Sequence, residues 1–380
     1  MEGITLYLNK QLDQMLLLLE KLVNIDSGTG FVEGINRIGG ILANELYQIG
    51  FESEIYPSPN GNNLVMKKKG KCSASVLLLG HIDTVFPVGT VGKRPFKIQG
   101  NRAYGPGVAD MKSGLVSIVY ALRAIYALKP EMLSNFTILL NVDEEIGSPT
   151  SRSLIESIAK ISKAVFVLEP ARPNGALVIA RKGAARYVLK IKGKAAHAGV
   201  DPEAGRSAVE ELAHKIIRFH KLNNHANDIT VNVGTIMGGV AANIVADFAK
   251  AEIDVRFRTN DEYLKAKEEL NSIVREMHVF GTQSELCEIF YRPPMVCNQV
   301  SEGLLEIARQ AGLELGLELK ATFTGGFSDG NLTAALGVPT IDGMGPVGGG
   351  FHSDTEYLDI DTFTERTALL ALTLLKITTD

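Results

Sequence analysis

Five short stretches of the sequence carry histidine or carboxylate side chains at positions where they could do chemistry. In chain order they are GHIDTV with His81 and Asp83, GPGVADMKSG with Asp110, DEEIG with Glu144 and Glu145, LEP with Glu169, and GGGFHSD with His352. Histidine and carboxylate together are usual ligands of zinc in an open, hydrolytic site. If the fold brings these stretches together, the sequence therefore predicts a metal-dependent hydrolytic centre.

The elements around these stretches have to place them side by side. Apolar runs predict strands over 63–68, 75–79, 136–142 and 164–168, and helical spacing predicts helices over 113–128 and 151–162. Continuous apolar strands that alternate with helices indicate an α/β domain, with a mostly parallel sheet and helices on both faces. In such sheets ligands bind outside the carboxyl ends of the strands, and His81, Glu144 and Glu169 follow predicted strands.

Each of these residues alone also has an ordinary structural interpretation. His81 could be a turn residue, and the acids at 143–145 could form a solvated loop. Asp110 could cap a helix, and Glu169, before a proline, could end a strand. Several carboxylates that converge in one cleft repel one another unless they are protonated or bound to cations. Their shared topological position therefore favours a cation site.

From about residue 184 the pattern becomes that of a second domain. Strands are predicted over 186–191, 228–236, 246–258 and 285–291, with helices over 206–221 and 261–277. The order β-α-β-β-α-β is the split arrangement of a ferredoxin-like α+β domain. A helix over 300–311, a core strand over 340–342 and a closing helix over 362–376 follow. We therefore divide the chain into a discontinuous larger domain, 1–181 and 294–380, and an inserted domain, 182–293.

Composition narrows the class of protein. A chain of 380 residues with 45% hydrophobic residues is long enough for two domains. The formal net charge of −4 produces no overall electrostatic attraction to nucleic acid or to an anionic membrane.

The pattern of residues 1–23 predicts an amphipathic helix and not a signal peptide. No apolar run approaches the roughly 20 residues of a membrane helix. The cysteines Cys72, Cys287 and Cys297 are scattered and odd in number, which favours a reducing, cytoplasmic location.

Taken in order, the five stretches resemble the motifs of the M20 family of di-zinc peptidases and deacylases, most closely its glutamate carboxypeptidase-like branch. The resemblance covers nearly the whole chain, including the inserted domain. Five ordered motifs with consistent spacing are far more specific than any one of them. The resemblance implies a metal-dependent hydrolase whose inserted domain acts as a lid and joins two copies into a homodimer.

The resemblance also implies a ligand set. Asp110 bridges two zinc ions, His81 and Glu169 complete the coordination of one ion, and Glu145 and His352 complete the other. Cobalt or manganese could occupy the same ligands.

Further catalytic roles follow from the same resemblance. Glu144 is the general base, taking a proton from the attacking water and delivering it to the leaving nitrogen. Asp83 orients the ring of His81, as metal-bound histidines usually require. The family motif further implies a cis peptide bond between Asp110 and Met111.

The inserted domain resembles the family at other positions. His197, in KAAHAG, would stabilise the oxyanion, commonly in the site of a partner subunit, although alone it would be a capping or surface residue. Asn243 and Arg292 match positions that bind the substrate carboxylate, for which a bidentate guanidinium is suited. Without the resemblance, Arg292 would equally be part of a surface ion pair. Gly326, in TGGFSDGN, matches a glycine turn that lines the substrate pocket. The remaining histidines are predicted to be surface residues: His214, His220, His225 and His278.

These implications predict an exopeptidase that hydrolyses the amide bond next to a C-terminal carboxylate. Glu169, where aminopeptidase relatives usually carry aspartate, also suits an N-acyl amino acid deacylase of the acetylornithine or succinyl-diaminopimelate type. A non-catalytic binding protein on the same fold would need a broken ligand set or a lost base. A two-metal phosphatase or nuclease would want clustered cations, which the loops carrying the five stretches lack.

Overall fold

The computed structural model describes residues 2–68, 75–223 and 229–379. Cys72, His225 and the predicted strand start at Asp228 lie outside them. The helices are α1 (Glu2–Asn9), α2 (Leu12–Val23), α3 (Val32–Tyr47), α4 (Thr90–Lys93), α5 (Ser113–Leu128), α6 (Arg152–Ala159), α7 (Ala208–His220), α8 (Asn260–Arg275), α9 (Gln299–Glu314), α10 (Gly330–Ala335) and α11 (Asp361–Thr379).

The strands are short in the loops and longest in the two main sheets. They are β1 (Phe51–Ser58), β2 (Gly61–Lys68), β3 (Ser75–His81), β4 (Lys97–Gln99), β5 (Arg102–Tyr104), β6 (Phe136–Asn141), β7 (Ser162–Val167), β8 (Leu177–Arg181), β9 (Gly183–Lys192), β10 (Thr230–Gly238), β11 (Phe248–Phe257), β12 (Gln283–Arg292), β13 (Ala321–Thr324), β14 (Thr340–Ile341), β15 (Gly348–Gly349) and β16 (Tyr357–Asp359).

The described chain divides into two compact units. The first comprises Met1–Ala180, Cys297–Phe323 and Ser328–Asp380. The second comprises Arg181–Val296 together with Thr324–Phe327.

The first unit is built on a six-stranded sheet in the order β1-β2-β6-β3-β7-β14. The pairs β6–β3, β3–β7 and β7–β14 are parallel, and β1 and β2 add an antiparallel edge. The predicted parallel-rich sheet is therefore confirmed. The edge strand β1 was not predicted, because all but its first residue lie outside the core and it has no apolar run.

Both faces of this sheet are covered by helices, as predicted. Along β3, Val76 and Leu78 join a core with α5 and α11, whereas Leu77 and Leu79 join a second core with α6 and α10. Alternate side chains of a strand point to opposite faces. A strand buried on both faces therefore needs the continuous apolar run that the sequence shows.

One helical segment of the described residues, Val108–Leu128, is long and apolar enough to cross a membrane. However, 78% of its apolar window is buried inside the fold. Twelve α5 residues are buried, among them Val116 and Leu122. The apolar length of this segment is thus the property of a core helix.

The second unit has the predicted ferredoxin-like arrangement. Its four-stranded sheet has the order β10-β11-β9-β12, and every neighbouring pair is antiparallel. Alternate residues of β9, such as Tyr187, Leu189 and Ile191, point into a core shared with α7 and α8. This alternation is the period-two pattern that the sequence shows from Arg186 onwards.

A buried ion pair within α7 also contacts the end of α8. Lys215 Nζ lies 2.8 Å from Glu211 Oε1, both side chains are fully buried, and the ammonium also donates to the carbonyl of Glu276 at 2.7 Å. Burial opposes ionisation of Glu211, but hydrogen bonds from Lys215 and from two backbone N–H groups outweigh it and lower the pKa of the carboxyl. The pair therefore stabilises the unit while Glu211 is ionised.

We expect Glu211→Ala to lower the free energy of unfolding by about 3–5 kcal/mol at pH 7, because it leaves a buried ammonium without its carboxylate. Glu252→Ala, which removes the half-exposed partner of Lys250, should cost no more than about 1 kcal/mol. A lowered folded pKa contributes stability above the unfolded value of about 4.3. The deficit of Glu211→Ala in urea unfolding should therefore shrink as the pH falls below about 4. Equal costs for the two variants would contradict this account.

Candidate metal centre

The parallel strands end at one edge of the large sheet, and their ends carry the predicted residues. His81 is the last residue of β3 and pairs with Asn141, the last residue of β6. Glu144 and Glu145 follow β6 in a short helical turn. Glu169 comes two residues after β7, and the preceding Leu168 N–H donates to the carbonyl of Leu79 at 3.0 Å. The sheet register therefore brings three of the five stretches together.

The stretch with Asp110 reaches the same edge through a close helix–strand contact. A side chain on Gly114 would place its Cβ 2.1 Å from the carbonyl oxygen of Leu168, so only glycine allows this approach. The peptide bond between Asp110 and Met111 is cis, as the resemblance implies. Met111 Sδ accepts from the backbone N–H of His81 at 3.2 Å. The start of α5 is thereby fixed against β3.

Asp110 lies between two histidines and offers one oxygen to each. His81 Nε2 is 3.3 Å from Asp110 Oδ1 and 3.5 Å from Glu169 Oε1. His352 Nε2 is 3.3 Å from Asp110 Oδ2 and 3.3 Å from Glu145 Oε2. The five predicted ligands thus form two groups that share Asp110. His81 is buried, whereas the side chain of His352 is 53% exposed.

The spacing of these atoms fits a metal ion in each group. Two ligand atoms at zinc–nitrogen and zinc–oxygen distances of about 2.0–2.1 Å, at a tetrahedral angle, lie about 3.3 Å apart. Among the atoms of these groups, His81 Nε2 and Asp110 Oδ1 are buried without a hydrogen-bond partner among the described residues. Buried polar atoms in proteins are rarely left unpaired. The donor set and these unpaired atoms therefore suit a pair of divalent cations.

Asp83 connects one histidine with both glutamates of the third stretch. Its carboxylate accepts the backbone N–H groups of Glu144 and Glu145, each at 3.2 Å, and the hydroxyl of Thr29 at 2.7 Å. His81 Nδ1 lies 2.9 Å from the backbone carbonyl of Asp83 and 3.5 Å from its carboxylate. The structure therefore places Asp83 where it can fix the ring of His81, and adds contacts to the Glu144 turn that the sequence did not reveal.

Burial and neighbouring charge change the acidity of these groups. Burial raises the pKa of Glu169 to about 7, and the charge of Asp110 adds to it. Burial also raises the pKa of Glu144 well above its usual range, with Asp329 as the next cause. Hydrogen bonds to two carboxylates raise the pKa of His352 to about 10. A divalent cation reverses this balance, so metal binding is coupled to proton release.

Two buried charged residues near the centre were missed by sequence reasoning. Glu356 accepts the backbone N–H groups of Gly107, Ala109 and Asp110, each at 2.9 Å. Lys112 Nζ donates to two backbone carbonyls, at 3.0 and 3.3 Å. The only sequence signal is an acid four residues after His352 and a lysine two residues after Asp110. Their partners are backbone groups, which no pattern of side chains reveals.

We expect Glu356→Ala to weaken metal binding, because three buried N–H groups that hold the Asp110 loop lose their acceptor. Each unpaired buried donor costs about 1–3 kcal/mol. Metal content after dialysis and the thermal midpoint should both fall, with Glu356→Gln, which keeps one acceptor oxygen, in between. Glu365→Ala, at an exposed position of α11, should change neither. If Glu356→Ala is destabilised but its metal affinity is unchanged, Glu356 contributes to the stability of the fold and not to metal binding.

In the second unit, His197 and Asn243 lie on neighbouring segments. The backbone N–H of Ala198 donates to the carbonyl of Asn243 at 2.9 Å, and His197 forms an isolated bridge with Ile244. Both side chains are exposed. The predicted surface histidines His214, His220 and His278 are exposed too.

The other two predicted substrate residues have different surroundings. Arg292 ends β12 and is only 1% exposed, with its guanidinium 5.2 Å from the ring centre of Phe327. Gly326 is exposed, and its carbonyl accepts from Arg181 Nη1 at 3.2 Å.

Comparison with known sequences identifies the family. The family model of Peptidase family M20/M25/M40 matches residues 77–376. Carboxypeptidase G2 of Pseudomonas sp. (strain RS-16) is 34% identical over 362 residues, which are 93% of this chain and 86% of that protein. An acetylornithine deacetylase of Photorhabdus laumondii subsp. laumondii is 32% identical over 232 residues, 57% of this chain and 59% of that protein.

Solved structures share the fold. Aminopeptidase PepT from Bacillus cereus matches with a TM-score of 0.79 at 22% identity, covering 97% of this chain and 99% of that one. The YXEP protein of Bacillus subtilis, described as a dinuclear metal binding peptidase, matches with a TM-score of 0.72 at 17% identity, covering 98% and 99%. With the family match over most of its length, the chain belongs to peptidase family M20/M25/M40 and is a hydrolase of the metallopeptidase type.

Proposed function

We propose that the protein is a di-zinc exopeptidase that hydrolyses the amide bond next to a C-terminal amino acid carboxylate. The observation that carries this proposal is the position of Asp110, whose two oxygens face one histidine each. His81, Asp110 and Glu169 would hold one ion, and Asp110, Glu145 and His352 the other. Cobalt or manganese would suit the same donors.

Glu144 is the proposed general base. Bound zinc ions supply a water of lowered pKa and polarise the scissile carbonyl. Glu144 takes the proton of the attacking water and delivers it to the leaving nitrogen. Asp83 keeps the Glu144 turn and the ring of His81 in position.

The proposed substrate contacts come from the second unit. We assign the oxyanion to His197, the substrate carboxylate to Asn243 and Arg292, and the pocket lining to the turn at Gly326. Similarity to carboxypeptidase G2 over 93% of the chain supports cleavage beside a C-terminal carboxylate. Similarity to acetylornithine deacetylase supports the second candidate, an N-acyl amino acid deacylase.

The test is metal analysis of protein purified without chelator, followed by a substrate panel. Dipeptides with a free C-terminal carboxylate are compared with N-acetyl and N-succinyl amino acids, and release of the free amino acid is measured. We expect two metal ions per chain and faster hydrolysis of the dipeptides. Faster hydrolysis of the acyl amino acids would select the deacylase. A chain without metal and without amide hydrolysis would overturn both.

We further propose a homodimer formed through the second unit. β10 is an edge strand of its sheet, and the side chains of Ile236 and Met237 are 67% and 66% exposed. On the neighbouring α7, Val209 is 43% exposed, and its side chain lies beside Gly238 at the end of β10. Edge strand and helix thus expose apolar side chains along one edge of the sheet. A second copy of the chain, docked about a two-fold axis, would cover it.

We expect activity to reappear when two weakly active variants, His197→Ala and Glu144→Gln, are mixed and allowed to exchange subunits. If His197 acts on the partner subunit, each mixed dimer has one intact site and one doubly defective site. Random pairing then restores up to about a quarter of the wild-type rate.

If His197 acts within its own chain, both sites of the mixed dimer carry one defect, and no activity returns. A fully active monomer in analytical ultracentrifugation would exclude the dimer proposal altogether.

For location, we propose the cytoplasm. Cys287 and Cys297 are both free thiols, as a reducing compartment permits. Fractionation of cells with thiol labelling of the native protein would test this. Peptides or N-acyl amino acids are the expected substrates, and neither nucleic acid nor a membrane is expected as a partner.

A further inference from the structure

A cavity opens beside the candidate metal centre, entirely within the first unit. Its volume is ≈ 580 Å³, within the range of small-molecule pockets. Its apolar lining comes from two segments of the chain and the turn after Glu145, namely Phe31, Val85, Phe86, Pro87, Val88 and Ile146. Glu145, a proposed ligand, also lines it, so the cavity reaches the metal centre.

The two walls are held together before any ligand binds. The backbone N–H of Thr29 donates to the carbonyl of Thr84 at 3.1 Å, and the backbone N–H of Thr84 donates to the carbonyl of Ser27 at 2.9 Å. The carboxylate of Asp26 accepts the N–H groups of Gly89 and Val91 at 2.7 and 3.0 Å. The loop of residues 84–91 is therefore tied at both ends to the segment of residues 26–31.

The walls are also connected to the metal centre itself. The hydroxyl of Thr29 donates to Asp83, whose carboxylate holds the turn of Glu144 and Glu145. On the other side, the guanidinium of Arg94 stacks 4.5 Å from the ring centre of Phe86 and donates to the carbonyl of Ser353 at 2.6 Å. Ser353 follows His352. These contacts therefore connect the walls of the cavity to the segments that carry the proposed metal ligands Glu145 and His352.

The lining shows which part of a substrate fits. An amide substrate has a carboxylate side, which needs a cation, and an acyl side, which does not. The described lining of this cavity contains no lysine or arginine and one carboxylate, that of Glu145. Val88 and Ile146 are 58% and 50% exposed, and apolar side chains exposed together commonly mark a binding site.

We propose that this cavity binds an apolar group of about phenyl size on the acyl side of the scissile amide. This assignment rests on the proposed amide hydrolysis and specifies its substrate class. The enzyme would then prefer an aromatic or branched apolar residue, or a bulky acyl group, before the cleaved bond. Small acyl groups such as acetyl would leave the cavity unfilled.

The test compares N-acetyl with N-phenylacetyl derivatives of glutamate and of leucine. We expect wild-type kcat/KM to be at least about ten-fold higher for the phenylacetyl member of the hydrolysed pair. Val88→Glu places a second carboxylate on the wall, and should lower this preference about ten-fold. The matched control is Val300→Glu on α9, since Val300 is 55% exposed and Val88 is 58% exposed. It should leave the preference unchanged.

A binding measurement separates this assignment from the reaction. Metal-loaded Glu144→Gln is titrated into N-(4-fluorophenylacetyl) derivatives of the same amino acids, and fluorine NMR line broadening is followed with and without Val88→Glu. Binding that Val88→Glu weakens supports the pocket even if no substrate is hydrolysed, in which case only the proposed function fails. Hydrolysis without acyl preference, equal effects of Val88→Glu and Val300→Glu, or no binding would overturn the pocket.

Discussion

Replacing Glu144 with glutamine should lower kcat by about 10²–10⁴-fold while both metal ions stay bound. Glutamine keeps the size of the side chain but cannot accept and return a proton. Glu144 belongs to neither of the two ligand groups, so its charge is not needed to hold an ion. The measurement is kcat on the best substrate of the panel, together with metal content per chain.

The neighbouring glutamate provides a matched control. Glu145→Gln makes the same chemical change one residue further along, but removes a proposed ligand of one group. It should lose one of the two ions, and added metal should restore part of its activity. Glu144→Gln should not respond to added metal. If Glu144→Gln keeps a near-wild-type kcat, or if both variants lose metal alike, the assignment of the base is wrong.

The main strands and helices could be predicted from the sequence because the apolar pattern of each one lies within a single short segment. The run at Leu77–Leu79 is apolar at every position since β3 is buried on both faces. The alternation in β9 reflects a sheet covered on one face. By contrast, β1 is a strand mainly through its pairing with β2, and its exposed side chains follow no apolar pattern. Pairing partners are long-range facts that a single stretch does not contain.

The candidate centre was predictable to the extent that its chemistry lies in side-chain types at strand ends. His81, Glu145 and Glu169 stand out because each directly follows an apolar run or its turn. Glu356 does not, because it acts on backbone N–H groups about 250 residues away in the chain. The burial of Arg292, whose guanidinium lies 5.2 Å from the ring centre of Phe327, was equally hidden. The residues next to Arg292 in the sequence do not reveal this neighbour.

Replacing Asp110 with asparagine should disable both metal positions at once. Asparagine preserves the shape of the side chain but removes its charge, and an amide nitrogen cannot replace a carboxylate oxygen as a ligand. Because Asp110 Oδ1 faces His81 and Oδ2 faces His352, whichever way the amide turns, one group loses a donor atom. Both ligand groups also lose the negative charge of the Asp110 carboxylate. We expect less than one ion per chain and no measurable turnover.

This outcome differs from the loss of a ligand that serves one group. Glu145→Gln leaves His81, Asp110 and Glu169 intact and removes one donor from the other group, so excess metal can refill that weakened position. Asp110→Asn should not recover at any metal concentration. The control is Asp354→Asn, which removes an exposed carboxylate from the His352 loop and should keep both ions. Calorimetric titration of the metal-free variants gives stoichiometry directly. Two retained ions in Asp110→Asn would show that the groups bind independently, and the proposed bridge would be abandoned.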